Sequence, residues 1–215
     1  MPSLMDELRA RFPHLDFDAE GETPTGHPRM TREEHAADAL RLHEQRTPAE
    51  FRSANATIPA VAAWADRYVA GSLGNRPGLL LLGSLGSGKT YQAYAALRRI
   101  AASGHPRSGW YGGLVANLYS RFRGGGDADF ELTVATDAPI LLLDDIGAAK
   151  ESAWTEETVH RLIDHRYSEQ LPLIATGNLS LDEIGRRLGA RTQSRLGGMC
   201  TLIELTDRDR RRRRP

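Results

Sequence analysis

A glycine-rich loop that ends in lysine and threonine is the part of this sequence best suited to chemistry. It follows four consecutive leucines and precedes a helical pattern that begins at Tyr91. Its residues are Gly83, Ser84, Leu85, Gly86, Ser87, Gly88, Lys89 and Thr90, in the pattern G-x-x-x-x-G-K-[ST]. Glycines let backbone N–H groups approach phosphate oxygens, and the helix start adds a positive dipole end. An ordinary glycine-rich turn is the alternative, and the flanking strand and helix patterns argue against it.

These residue types predict an ATP site with a bound Mg²⁺ ion. The residues from Gly83 to Tyr91 would surround the phosphates, with the Lys89 ammonium beside the β- and γ-phosphates and the Thr90 hydroxyl on Mg²⁺. Lys89 and Lys150 are the two lysines of the chain, whose remaining permanent cations are arginines. Because a compact ammonium on a flexible stem suits phosphate, the use of lysine in this loop supports the prediction.

Two adjacent acids, Asp144 and Asp145, end a second apolar run that begins at Ile140. We expect the Asp144 carboxylate to hold Mg²⁺, directly or through water. We expect Asp145 to polarise the attacking water as a general base. An acidic turn after a core strand is the alternative, which the upstream phosphate loop disfavours. Because a phosphotransferase acting on small hydroxyls needs no such base, the doubled acid favours hydrolysis.

Three further side chains are candidates for the same chemistry. Asn178 follows the apolar run that ends at Gly177, and from there it could contact the γ-phosphate and the attacking water. A simple turn is the alternative for an Asn in this position. Arg191 and Arg195 share one helix face and could stabilise transition-state charge in a neighbouring subunit. A solvated arginine-rich helix is the alternative for this pair and stays open.

Composition excludes several other classes of protein. Cys200 is the one cysteine among 215 residues, so an internal disulfide and a cysteine-rich zinc site are both excluded. The histidines show no metal-binding spacing. The formal net charge is zero, no apolar run reaches the length of a membrane span, and the start of the chain lacks the pattern of a secretory signal. We therefore expect a cytoplasmic protein without a membrane partner.

Alternating strand and helix patterns predict the fold class and the domains. The predicted strands are 79–82, 109–115, 139–143, 172–176 and 200–205, and the helices between them are 89–102, 116–123, 130–136, 154–170, 181–188 and 191–195. This order predicts an α/β fold with a central parallel sheet covered on both faces. We expect residues 1–50 to form a helical or partly disordered extension that could dock a partner, with a capped helix from Thr31 to Gln45. Residues 51–206 would form the ATPase domain, and residues 207–215 a basic disordered tail.

The helix after the second predicted strand combines aromatic and basic side chains. Tyr119 and Phe122 could stack on unpaired bases while Arg121 and Arg123 contact phosphates of single-stranded DNA. The alternative is an amphipathic helix whose Leu118, Tyr119 and Phe122 belong to the core. The sequence leaves both open.

Together these motifs resemble the AAA+ ATPases that load replicative helicases in bacteria and phages, a DnaC/DnaI-like group to which transposition-helper ATPases are related. The resemblance covers about residues 51–205. The stretches that carry it are the phosphate loop, 141–147, Trp154, 163–167, 176–179 and 188–196. It implies a P-loop AAA+ three-layer sandwich in which Lys89 and Thr90 bind nucleotide and Mg²⁺. It further implies that Asp144 and Asp145 are Walker B residues and that Asn178 is sensor 1.

The resemblance also implies that Arg191, or Arg195 in its place, is a finger acting in trans, and that residues 51–54 lie near the adenine. Two departures accompany these implications. The N-terminal region lacks the cysteines of a zinc-bearing loader domain, and no helical lid domain is expected after the last strand. The related transposition helpers typically carry Asp-Glu where this chain has Asp144-Asp145.

The expected function is therefore that of an ATP-hydrolysing helicase loader. ATP would assemble it into a homo-oligomer, and hydrolysis would change its hold on a replicative helicase or single-stranded DNA. A transposition helper acting on duplex DNA, a small-molecule P-loop kinase and a scaffold that binds nucleotide without hydrolysis are the alternatives.

Overall fold

The computed structural model describes residues 30–122, 128–147 and 153–205 of the chain. It leaves undescribed the side chains at 119–122, 128–129 and 153–156. Within the described ranges, one compact unit begins at Thr31. The predicted tail at 207–215 lies outside the described residues, as do Lys150 and the first 29 residues.

Five parallel strands form the centre of this unit, in the spatial order β2-β3-β4-β1-β5. The strands are β1 (Gly78–Gly83), β2 (Trp110–Leu114), β3 (Ile140–Asp144), β4 (Leu173–Gly177) and β5 (Cys200–Leu205). In the register of the sheet, Leu82 of β1 pairs with Gly177 of β4. Because all strands run the same way, the phosphate loop, the two acids and Asn178 leave the sheet at one edge.

Helices cover both faces of the sheet. They are α1 (Arg32–Arg46), α2 (Pro59–Val69), α3 (Lys89–Ala102), α4 (Val115–Phe122), α5 (Ala128–Asp137), α6 (Ala153–Ser168), α7 (Leu181–Leu188) and α8 (Ala190–Met199), with a 3-10 turn at Ala49–Phe51. Alternate residues of β1 belong to different cores: Leu80 and Leu82 lie in one cluster, Leu79 and Leu81 in the other. This division confirms the predicted three-layer α/β fold. No helix in the described ranges is both long and apolar enough to cross a membrane.

Helix α1 belongs to the compact unit although the sequence analysis placed it in an N-terminal extension. Its predicted capping box is present, with Thr31 and Glu34 bonding each other's backbone N–H groups. Two hydrogen bonds tie the helix to the rest of the unit: Arg46 Nη1 donates to the Trp110 carbonyl at 2.9 Å, and Arg32 Nε donates to the Ser103 carbonyl at 2.7 Å. The fully buried residue of this helix is His43, a polar residue, so hydrophobic spacing did not indicate the docking.

Candidate functional site

The phosphate loop joins β1 to α3 through a backbone that requires glycine. Gly86 and Gly88 have φ values of 80° and 95°, a region that side chains disfavour. A Cβ atom on Gly83 would lie 2.2 Å from the Leu205 carbonyl oxygen. Gly88 is the N-cap of α3, and no side chain caps the helix there. The first N–H groups of α3 are therefore placed as in an anion site.

Lys89 folds over this loop. Its buried ammonium donates hydrogen bonds to the carbonyl oxygens of Gly83 and Ser84 at 2.9 and 2.8 Å, and Ser87 Oγ lies 3.5 Å away. Neutral carbonyls are weaker partners than phosphate oxygens for an ammonium group. The Lys89 ammonium group is therefore held at a position where the phosphates of a nucleotide would replace these carbonyl oxygens as its partners.

Asp144 is the centre of a buried oxygen cluster. Its Oδ1 atom accepts hydrogen bonds from Thr90 Oγ1 at 2.9 Å and from Thr176 Oγ1 at 2.7 Å. Burial raises the pKa of the Asp144 carboxyl, while both hydroxyl donors and the charge of Lys89 oppose that shift. Carboxylate and hydroxyl oxygens are the ligands that Mg²⁺ prefers, so Asp144 and Thr90 fit the predicted metal role.

Thr176 is a site residue that the sequence analysis missed. Its hydroxyl donates to Asp144 and accepts from the backbone N–H of Asp145 at 2.9 Å, so it joins the two acids. Asp145 has a φ of 65°, which is uncommon for a residue other than glycine but tolerated by aspartate. The sequence signal that could have indicated this role is the position of Thr176, a polar residue near the end of an otherwise apolar strand.

Asn178 lies exposed at the same edge of the sheet. It directly follows Gly177, which pairs with Leu82 at the end of the strand that carries the phosphate loop. This placement is compatible with the predicted contact to the attacking water, which stays a prediction.

The structure distinguishes between Arg191 and Arg195, which the sequence could not do. Both contact the carboxylate of Asp164 in α6: Arg191 Nη2 lies 2.8 Å from Oδ2, and Arg195 Nη1 lies 2.7 Å from Oδ1. Arg195 also donates to the Asp164 carbonyl at 3.2 Å and lies over the Tyr167 ring at 5.1 Å. The Arg195 side chain is 17% exposed and that of Arg191 is 63% exposed. Arg195 is therefore engaged within its own chain, whereas Arg191 faces outward.

The segment that we expect near an adenine lies against the first turns of α3. Phe51 stacks on Tyr94 with ring centroids 5.3 Å apart. Further along, the Asn55 N–H donates to Tyr91 Oη at 3.1 Å. The Gln92 amide donates to Thr57 Oγ1 at 2.7 Å and accepts from the Ile58 N–H at 3.3 Å. These bonds hold residues 55–58, which directly follow the expected segment, beside the start of α3.

The candidate DNA-binding side chains cannot be placed in the same way. Tyr119, Arg121 and Phe122 belong to α4 by their backbone, but their side chains lie outside the described part of the structure, and Arg123 lies outside it altogether. Leu118 on the same helix is buried in the core, as the amphipathic alternative requires.

Similar sequences are found among curated helicase loaders. The chain is 30% identical over 112 residues to the replicative helicase loader DnaI of Bacillus subtilis, an alignment that covers 52% of this chain and 36% of that protein. It is 24% identical over 134 residues to the replicative helicase loader DnaC of Escherichia coli, covering 61% of this chain and 55% of that protein. The chain thus spans about half the length, or less, of the curated relatives it matches. No family model matches the sequence.

Solved structures give the same picture at the level of the fold. The crystal structure of DnaI superposes with a TM-score of 0.64 at 24% identity, covering 75% of this chain and 95% of that chain. The crystal structure of the DnaC helicase loader superposes with a TM-score of 0.54 at 25% identity, covering 85% and 95%. The replication initiator DnaA, bound to AMPPCP and single-stranded DNA, shares the fold at 19% identity and a TM-score of 0.53, covering 66% and 45%. In sequence and in fold, this chain is therefore similar to the replicative helicase loaders DnaI and DnaC.

Proposed function

We propose that this chain binds and hydrolyses ATP and acts as a loader of a replicative helicase. The observation that carries the proposal is the hydrogen-bonded set of Thr90, Asp144 and Thr176. It links the helix of the phosphate loop to β3, which carries the proposed metal ligand and leads to the proposed general base, and to β4, which precedes Asn178. If the loop were only a glycine-rich turn and the acids only a structural turn, we would not expect the hydroxyls of Thr90 and Thr176 to donate to the same oxygen of Asp144.

In this proposal, each residue of the site has its own role in ATP hydrolysis. The loop N–H groups and Lys89 bind the β- and γ-phosphates, and Thr90 and Asp144 would hold Mg²⁺. That ion, when bound, would supply neutralising charge at the phosphates. Asp145 takes the proton of the attacking water, and Asn178 orients that water from the neighbouring strand. Thr176 restrains the backbone of Asp145 by accepting a hydrogen bond from its N–H.

Turnover in this proposal needs a second copy of the chain. Arg191 contacts the nucleotide of the neighbouring subunit and stabilises transition-state charge there, while Arg195 holds α8 against α6. The exposure of Arg191 and the internal contacts of Arg195 support that division. The active form is therefore a homo-oligomer assembled by ATP.

The partner of this oligomer is a replicative helicase. Support comes from the two curated relatives, both replicative helicase loaders. Single-stranded DNA is a further proposed ligand. It is supported by the aromatic and basic sequence from Tyr119 to Arg123 and by the DNA-bound neighbour DnaA.

Two variants test the chemistry. Lys89→Ala should abolish tight ATP binding because it removes the charge opposite the β- and γ-phosphates. Asp145→Asn should bind ATP but hydrolyse it slowly, since Asn tolerates the same backbone conformation and lacks the base. Nucleotide titration and phosphate release measure the two steps separately. Equal loss of binding in both variants would overturn the division of roles, and ATP-dependent phosphorylation of a small acceptor would favour a kinase.

A further inference from the structure

Asp164 is placed to act on the proposed finger from within the same subunit. The residue lies on α6, and its carboxylate contacts both arginines of α8 through different oxygens. We propose that Asp164 is the positioning residue for Arg191: it fixes the direction in which that guanidinium is presented to the nucleotide of a neighbouring subunit. The inference rests on the trans role of Arg191 proposed above.

The contacts of the two arginines differ in a way that suits this role. Arg195 is held from several sides and is mostly buried, so the carboxylate of Asp164 is anchored by a cation that stays in place. Arg191 contacts the other carboxylate oxygen through Nη2 and keeps 63% of its side chain exposed. One face of the guanidinium is thus oriented by its own chain, and the rest of the side chain is available to another molecule.

A second contact fixes the backbone beside Arg191. His160 of α6 lies 3.6 Å from Asp164 Oδ2 through Nε2, and its Nδ1 atom lies 2.7 Å from Thr192 Oγ1. The Thr192 hydroxyl in turn donates to the Leu188 carbonyl at 2.9 Å, at the end of α7. Thr192 directly follows Arg191, so Asp164 and His160 together restrain both the backbone and the tip of the proposed finger.

Such restraint matters because an exposed arginine is otherwise free to adopt many rotamers. Ordering it at the moment of subunit contact carries an entropic cost, which a preformed ion pair reduces. Residues that orient a functional side chain typically change activity by 10- to 100-fold when they are replaced, as measured for partners of metal ligands. We expect an effect of roughly that size, smaller than the roughly 10³-fold loss from removing the finger itself.

The test uses the full chain with Asp164→Asn, which keeps the shape of the side chain and removes its charge. Nucleotide affinity of this variant should equal that of the wild type, while turnover should fall by roughly 10- to 100-fold. Asp182→Asn is the matched control: Asp182 is an exposed acid on α7 that accepts from Gln193 Nε2 at 2.8 Å, so turnover should be unchanged. Thermal melting of each variant reports its folding. If Asp164→Asn does not fold, Asp164→Glu shifts the carboxylate while keeping its charge and should show the same pattern more weakly.

Mixing experiments separate positioning from general damage. In a mixture of Asp164→Asn with Asp145→Asn, some interfaces join an intact Asp145 to an intact Asp164–Arg191 pair, so turnover should exceed that of either variant alone. A mixture of Asp164→Asn with Arg191→Ala should give no such recovery, because both changes affect the same side of the interface. A merely structural role of Asp164 would not produce this contrast.

These outcomes also distinguish a failure of the positioning role of Asp164 from a failure of the trans role of Arg191. Wild-type turnover in Arg191→Ala would overturn the trans role of Arg191 itself. Slow turnover in Arg191→Ala together with wild-type turnover in Asp164→Asn would overturn the role of Asp164 alone. Recovery in the mixture of Asp164→Asn with Arg191→Ala would do the same.

Discussion

Replacing Thr176 with valine removes a hydroxyl that joins both acids of the site. The change keeps the shape of a buried side chain and deletes two hydrogen bonds, one donated to Asp144 Oδ1 and one accepted from the Asp145 N–H. A hydrogen bond to a charged group contributes about 1.5–3 kcal/mol, and an unpaired buried N–H costs about 1–3 kcal/mol. Because the Asp145 N–H is only partly buried, the lower end applies to it, and the free energy of unfolding should fall by about 3 kcal/mol.

Urea denaturation of Thr176→Val and a matched control checks this value. Thr136→Val removes a single hydrogen bond between neutral groups, from Thr136 Oγ1 to the Leu132 carbonyl at 2.8 Å, and should cost about 1 kcal/mol. Thr176→Val should also slow ATP hydrolysis, since the backbone of Asp145 loses its restraint, whereas Thr136→Val should not. A loss of stability in Thr176→Val no larger than in the control would refute the view that Thr176 organises the acids.

Two further predictions concern parts of the fold that support the site. Burial lowers the pKa of His43 from 6.5 to about 4, so the folded protein keeps this side chain neutral; its contribution to stability is present above pH 6.5 and is lost as the pH falls towards 4. The free energy of unfolding of the wild type should fall between pH 7 and pH 4.5, and in His43→Gln this fall should be smaller by up to about 3 kcal/mol. Denaturation of both proteins at the two pH values measures it. An equal fall in both proteins would contradict the prediction. Arg166 is fully buried and donates to the Pro172 and Ala135 carbonyls at 3.2 and 2.9 Å, so Arg166→Met should lower the free energy of unfolding by roughly 2 kcal/mol. An unfolding midpoint equal to that of the wild type would show that the hydrogen bonds from Arg166 to these carbonyls do not stabilise the folded protein.

Much of the fold follows directly from sequence patterns. The apolar runs before the phosphate loop and before Asp144 are strands buried on both faces, and runs of this kind are readily recognised. The helix that follows the phosphate loop begins and ends where its pattern predicted, at Lys89 and Ala102. Helix α8 runs four residues beyond its predicted end, to Met199. The added residues include Gly197 and Gly198, where a Cβ atom would lie 3.4 Å from Leu181 Cδ2 and 3.5 Å from Tyr167 Cε2.

The remaining features depend on contacts between residues far apart in the chain. Arg191 and Arg195 have the same spacing and the same type, and they differ only through what α6 places beside each of them. The sequence around Asp164 gave no motif that predicted its contact with either arginine. Likewise, the docking of α1 depends on side chains that donate to carbonyls more than sixty residues away, which no local pattern reveals.

Helicase loading is the measurement that tests the central proposal most directly. The purified chain is added with ATP to a replicative helicase and circular single-stranded DNA, and the amount of helicase bound to the DNA is measured. The account predicts that the wild-type chain raises this amount in an ATP-dependent manner and that Lys89→Ala does not. A wild-type chain that hydrolyses ATP at the same rate with or without helicase, and leaves helicase binding to DNA unchanged, would contradict it.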